Sequence, residues 1–239
     1  MMDFIMISII IPAWNEEKSL PRLLKCIKKQ TYKNYEIIVA DANSKDKTIG
    51  IARSYGCRIV KSKGSPAVGR NLGAKVAKGS ILLFMDADAL TDNNFLEKSI
   101  AEFEKRNLDV AGSGLCSSND EIVDKIFIGI FNFWNCLAQY FFPTAFGPGI
   151  YCRRWLHQKV KGFDKVIKLN EDMDYVRRCG KLGKFRMLKN SKVIFSMRRF
   201  ENDGRFKTGM KLLLSILYRL FFGEIRANIF NYKSRVKRQ

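Results

Sequence analysis

The chain has 239 residues, enough to bury a core in one large domain, and its 46% hydrophobic and 28% charged residues read as globular rather than disordered. Its 43 Lys and Arg against 23 Asp and Glu leave a net charge of +20, which predicts an anionic partner without choosing among nucleotide phosphates, nucleic acid and acidic lipid. The single histidine, His157, argues against a His-rich metal site or a Ser-His-Asp triad, and six scattered cysteines with no Cys-x-x-Cys pair read as reduced, buried thiols of a cytosolic protein.

Strands and helices alternate through the first half. Residues 6–11 form an apolar run of strand length, followed by a helix over 19–30 in which Leu20, Leu23, Leu24 and Ile27 recur at helical spacing. Residues 36–40 predict a second strand, 47–55 a short helix and 57–60 a third strand. Residues 66–77 predict a helix with Val68, Leu72 and Val76 along one face, and 80–85 a fully apolar fourth strand. Strands this uniformly apolar, separated by helices, imply a parallel sheet covered on both faces. Ligands of such open sheets bind beyond the carboxyl ends of the strands. The polar segments 12–17, 41–46, 61–65 and 86–88 each follow one of these strands, so four polar loops are expected to converge on one rim.

Past residue 110 the character changes. Residues 126–152 carry no charged side chain, but Asn132, Asn135 and Gln139 draw a polar stripe at helical spacing, and Pro143, Gly147, Pro148 and Gly149 break the helix. An amphipathic interfacial helix or lid fits better than a membrane span, with a core helix an equal alternative. In 210–232 the polar residues Lys211, Ser215, Arg219 and Arg226 line one side, and from Arg198 onward 11 basic residues against 3 acidic ones give the tail +8. A basic amphipathic tail suits an anionic cytoplasmic membrane surface. The expected organisation is therefore a domain over 1–200, with halves 1–110 and 111–200, and a membrane-associating tail over 201–239. No signal-peptide layout opens the sequence, so the expected location is cytoplasmic, peripheral at the inner face of the cell membrane.

Asp86-Ala-Asp88, at the end of a buried strand, offers hard carboxylate oxygens suited to Mg²⁺ or Mn²⁺, with ligand phosphates completing the shell. Glu171-Asp172 falls at a loop-to-helix junction, where the positive helix end would favour an ionised carboxylate. Read alone, that pair is a general base or an ordinary set of first-turn acids.

The sequence resembles the family 2 glycosyltransferases, the inverting group with the GT-A fold, from about Ile7 to about Arg199. The resemblance is carried, in order, by Ile9-Ile-Ile-Pro-Ala-Trp-Asn-Glu-Glu17, Val39-Ala-Asp-Ala-Asn-Ser-Lys-Asp-Lys-Thr48, Gly69-Arg-Asn-Leu-Gly73, Phe84-Met-Asp-Ala-Asp88, Gly162-Phe-Asp164 and Asn170-Glu-Asp-Met-Asp-Tyr-Val-Arg177. It implies a donor pocket lined by Pro12, Ala13, Asn15, Glu16 and Asp41, with Arg70 beside the nucleotide. Asp86 and Asp88 would meet ribose, metal and diphosphate, and Asp172 would be the base. It also implies a divalent metal, Mn²⁺ or Mg²⁺, a nucleotide diphosphate sugar as donor, and a glycan, lipid-linked or polyprenyl phosphate acceptor. Glu171 joins the site as a neighbour of Asp172, and Arg198 and Arg199 stand where some members place a basic residue against the diphosphate. Here Asp41 is followed by Ala42, where the second motif often has a second acid.

Two other readings compete. A sugar nucleotidyltransferase would need a Gly-rich phosphate loop, which the start of the chain lacks. A nucleic-acid-binding module would need its charge gathered on a reader element, whereas the basic residues here are spread out, so no nucleic acid is expected.

Overall fold

The computed structural model describes residues 5–118, 121–195, 204–226 and 229. Four apolar runs become parallel strands: β1 (Ile7–Ala13), β2 (Tyr35–Asp41), β3 (Arg58–Lys61) and β4 (Ile81–Phe84). Helices α1 (Leu20–Lys28), α2 (Thr48–Ser54) and α3 (Pro66–Val76) connect them. Ile7, Ile9, Ile10 and Ile11 are fully buried, as residues of a sheet covered on both faces must be. Each such side chain is worth about 1.5–3 kcal/mol relative to exposure.

The second half adds α4 (Phe95–Lys105), β5 (Val110–Ser117), α5 (Ile122–Ala138), β6 (Ile150–Arg153), α6 (Arg154–Lys159), α7 (Glu171–Gly180), β7 (Phe185–Phe195) and α8 (Arg205–Phe222). The sheet has seven strands in the order β3-β2-β1-β4-β6-β5-β7, and only β6 runs antiparallel to its neighbours. Strand order reverses between β1 and β4: the chain first moves outward through β2 and β3, then returns to the other side of β1. Such a switch point opens a crevice at the carboxyl ends of the two strands. Pro12 lies in the part of β1 that pairs with β2 alone, since β4 covers only Ile7 to Ile10.

The face expected on α3 differs. Val68, Leu72 and Val76 are half-buried, while Ala67, Gly69, Arg70, Gly73 and Ala74 face the protein. Small residues let the helix backbone press against the sheet. A Cβ on Gly73 would fall 2.5 Å from Ile10 Cγ2, and one on Gly69 would meet Pro12 and Ala40 at 3.3 and 3.4 Å. That close approach carries Arg70 inward. His157 is a packing residue: it is buried, its Nδ1 is 2.9 Å from the Tyr175 hydroxyl, and burial pushes its pKa down to about 4. No helix among the described residues is long and apolar enough to cross a membrane.

Candidate active site

The loops after β1 and β2 are stitched together by main-chain and side-chain bonds. Asn15, at φ 53, donates its N–H to Ser44 Oγ at 2.9 Å and accepts the Lys45 N–H at Oδ1 at 2.8 Å. The Glu16 amide donates to Thr48 Oγ1 at 2.8 Å, and the Ala42 amide to the Ala13 carbonyl at 2.8 Å. Asp41 is 1% exposed; its Oδ2 accepts the Ser44 amide at 3.1 Å, while Oδ1 is buried with no partner among the described residues. A buried carboxylate oxygen left this way is an acceptor that a ligand N–H or O–H would satisfy.

A second cluster forms around Arg70, which is 3% exposed. Its Nη2 donates to Asp86 Oδ1 and its Nη1 to Glu171 Oε1, both at 2.8 Å. Burial works against its charge, but Asp86, Glu171 and Asp172 outweigh that and raise its pKa, so it stays a cation. The guanidinium carbon also lies 5.3 Å from the centroid of the Phe163 ring. Asn71 holds that ring in place: its Nδ2 donates to the Phe163 carbonyl and its Oδ1 accepts the Phe163 amide, each at 2.8 Å. Thus the segments around 69–73 and 162–164 form one support under the arginine.

Asp172 sits beside this ion pair network at the second position of α7. Its Oδ2 accepts the Gly147 amide at 2.7 Å and its Oδ1 the Met173 amide at 2.8 Å. The helix end was expected to favour ionisation, but the structure reverses the sign. Loss of solvent, then repulsion from Glu171, push the Asp172 carboxyl up to about 7 against the opposing pull of Arg70 and the Met173 amide. A carboxyl near 7 is matched to proton transfer at neutral pH.

Asp86, Glu171 and Asp172 give three carboxylates to one guanidinium, and Asp88 lies within the tight turn closed by the Ala89 amide on the Asp86 carbonyl at 3.1 Å. No group of three or more His, Cys, Asp or Glu is placed to hold a metal among the described residues. Carboxylate oxygens are the hard donors that Mg²⁺ or Mn²⁺ takes, and phosphates can supply the rest of such a shell. Arg198 and Arg199 lie outside the described residues. Asn71 and Phe163 entered the sequence reading only inside the Gly69–Gly73 and Gly162–Asp164 motifs, and Gly147 only as a helix breaker; its main-chain bond to Asp172 had no signal in the sequence.

A seven-stranded, mostly parallel sheet with one antiparallel strand and an acidic residue just beyond β4 is the architecture of a GT-A fold. Residues 8–159, more than half of the chain, match the family described as Glycosyl transferase family 2, and the protein belongs to that family. The chain is 32% identical over 131 residues to UDP-Glc:alpha-D-GlcNAc-diphosphoundecaprenol beta-1,3-glucosyltransferase WfgD of Escherichia coli, covering 52% of this chain and 51% of that protein. Its fold is similar to that of S. aureus TarS 1-349 in complex with UDP-GlcNAc, with a TM-score of 0.66 at 22% identity over 80% of this chain and 58% of that one. It is also similar to mannosyltransferase PcManGT of Pyrobaculum calidifontis in complex with GDP-Man and Mn²⁺, with a TM-score of 0.63 at 17% identity over 79% of this chain and 56% of that one. The chain spans between 29% and 57% of the length of the curated relatives it resembles.

Proposed function

We propose that the protein is an inverting glycosyltransferase that moves a sugar from a nucleotide diphosphate donor to a lipid-linked or membrane-proximal glycan or a polyprenyl phosphate. The observation that carries this reading is the junction of Asp86, Arg70, Glu171 and Asp172, which joins the end of β4 to the start of α7 in a family 2 chain. The donor's base and ribose are assigned to the crevice of Pro12, Ala13, Asn15, Glu16 and Asp41, where the unpartnered Asp41 oxygen awaits a donor group.

Asp172 takes the proton from the acceptor hydroxyl. The acceptor oxygen then forms its bond to the anomeric carbon as the bond to the diphosphate breaks, in one in-line displacement that inverts configuration. Arg70 keeps Asp86 and Glu171 in place and lowers the repulsion among the three carboxylates. Asp86 and Asp88 would hold Mn²⁺ or Mg²⁺, which supplies positive charge to the departing diphosphate. The diphosphoundecaprenol named for the Escherichia coli relative and the UDP-GlcNAc and GDP-Man of the solved neighbours support these ligand classes.

The test is a panel of nucleotide sugars screened by thermal shift with Mn²⁺ and with Mg²⁺, followed by NMR assignment of the product anomer. A ligand of the native state raises the melting temperature. A panel with no metal-dependent stabilisation, or a product that retains configuration, overturns the proposal.

A further inference from the structure

Polar side chains tie α5 and α8 to the protein, beside Ile128 and Phe131 that pack into the core from α5, and large apolar side chains of both helices are exposed. On α5, Asn132 clamps Leu115 twice, accepting its amide at 2.9 Å and donating to its carbonyl at 2.8 Å. Asn135 Oδ1 accepts the Thr144 hydroxyl at 2.7 Å, and Gln139 Oε1 accepts the Met187 amide at 2.9 Å. These bonds fix the rotation of the helix and leave Ile130, Phe133, Trp134 and Leu137 exposed, the two aromatics at 69% and 63%, with Phe141 beyond at 82%. On α8, buried Ser215 accepts from Asn170 Nδ2 at 2.9 Å and Arg219 pairs with Glu224 at 2.9 Å, while Met210, Leu214, Phe221 and Phe222 are exposed. A helix on a water-facing surface has the opposite arrangement.

Charge says what covers these faces. Lys125 is exposed on α5, Lys192 passes beside Asn132 where both flank Gly114, and the Arg186 guanidinium lies 4.5 Å from the centroid of the Tyr140 ring. Cations around an aromatic, apolar strip match the layering of an anionic bilayer surface, with aromatic rings at the interface and Lys and Arg at the headgroups. The strip also leads to the candidate active site: Thr144 ties α5 to the loop whose Gly147 amide holds Asp172, and Ser215 ties α8 to Asn170, two residues before it.

We infer that the outer faces of α5 and α8 seat the protein on an anionic lipid bilayer, with the start of α7 turned to the headgroup layer. The purpose of this placement, delivery of a lipid-linked acceptor, rests on the glycosyltransferase reading; the binding itself does not.

The test is flotation of the full chain with vesicles of phosphatidylcholine and phosphatidylglycerol, and of phosphatidylcholine alone. The triple variant Phe133→Ser, Trp134→Ser, Phe141→Ser is compared with wild type, with its melting temperature as a check on folding and the single variant Phe141→Ser as a milder case. Wild type should float with the mixed vesicles and more weakly with the neutral ones. The triple variant should bind about ten-fold or more weakly, because large apolar side chains no longer leave water. Acyl-brominated lipid should quench wild-type tryptophan emission more than that of the triple variant. Equal flotation of wild type and the triple variant overturns the inference. So does self-association that the triple variant abolishes, without vesicle binding, since a second copy would then cover the strip. Flotation with no sugar transfer to a lipid-linked acceptor upholds the inference and removes the acceptor reading. Transfer to a water-soluble acceptor without flotation does the reverse.

Discussion

The amide of Gly147 and the carboxylate of Asp172, 25 residues apart in sequence, are joined at 2.7 Å. The donor is the main chain of a loop, so the Asp172 rotamer is the only side-chain rotamer on which the bond depends. Asp172→Asn preserves shape and removes the basic oxygen. We expect kcat on a hydroxyl acceptor to fall by about 10²–10⁴ while donor affinity stays nearly unchanged. With a phosphate acceptor, already anionic, the defect should shrink. Rates with both acceptors and donor Kd by calorimetry check this, and wild-type kcat on a hydroxyl acceptor would refute the assignment.

The raised Asp172 pKa has consequences for both rate and stability. As a base it acts when ionised, so kcat/KM should rise with pH through about 7. For stability the sign is opposite: a carboxyl at about 7 in the fold against 3.8 when free binds its proton more tightly in the native state. Its contribution is fully present below 3.8 and is lost as pH rises through about 7. The unfolding free energy from urea melts should fall as pH rises across that range, a trend that Asp172→Asn flattens.

Arg70→Ala should destabilise the fold by about 1–3 kcal/mol, less than the loss of a fully buried pair, because Asp86 and Glu171 lose their shared cation while solvent still reaches Asp86, 34% exposed, and Glu171, 18% exposed. Chemical denaturation measures the loss. Arg70→Lys should restore only part of it, since one ammonium cannot reproduce a fork that reaches two carboxylates at 2.8 Å each.

Asp88→Asn should remove the extra stabilisation that donor gains from Mn²⁺ or Mg²⁺ and abolish turnover. Thermal shift with and without metal checks the stabilisation. Undiminished metal dependence would place the ion elsewhere.

The first half of the fold was legible because β1, β2 and β4 are built on apolar runs followed by polar residues, while the short β3, Arg58-Ile-Val-Lys61, was marked by its place between two helices. The second half was not. β5 reads Val110-Ala-Gly-Ser-Gly-Leu-Cys-Ser117, a glycine-rich segment with little strand propensity, and it is a strand because β6 and β7 pair with it. The stripe of Asn132, Asn135 and Gln139 was visible in the sequence, but its direction was not, because periodicity locates a face without saying what it meets. On α3 the regular Val68, Leu72 and Val76 drew attention away from Gly69 and Gly73, whose value is the side chain they lack. Of the candidate site, every carboxylate was legible, whereas Gly147 acts through an amide that any residue possesses.

Asn170 stands at φ 61 just before α7, a left-handed conformation that asparagine tolerates, and its side chain reaches Ser215, 45 residues further along. Folding during synthesis proceeds from the N-terminus. The crevice lined by β1 and β2 can therefore take shape early, while the start of α7 gains its last support only after α8 has left the ribosome. The surroundings of Asp172 are therefore the later of the two to be completed, because they draw on a helix that follows it in the chain.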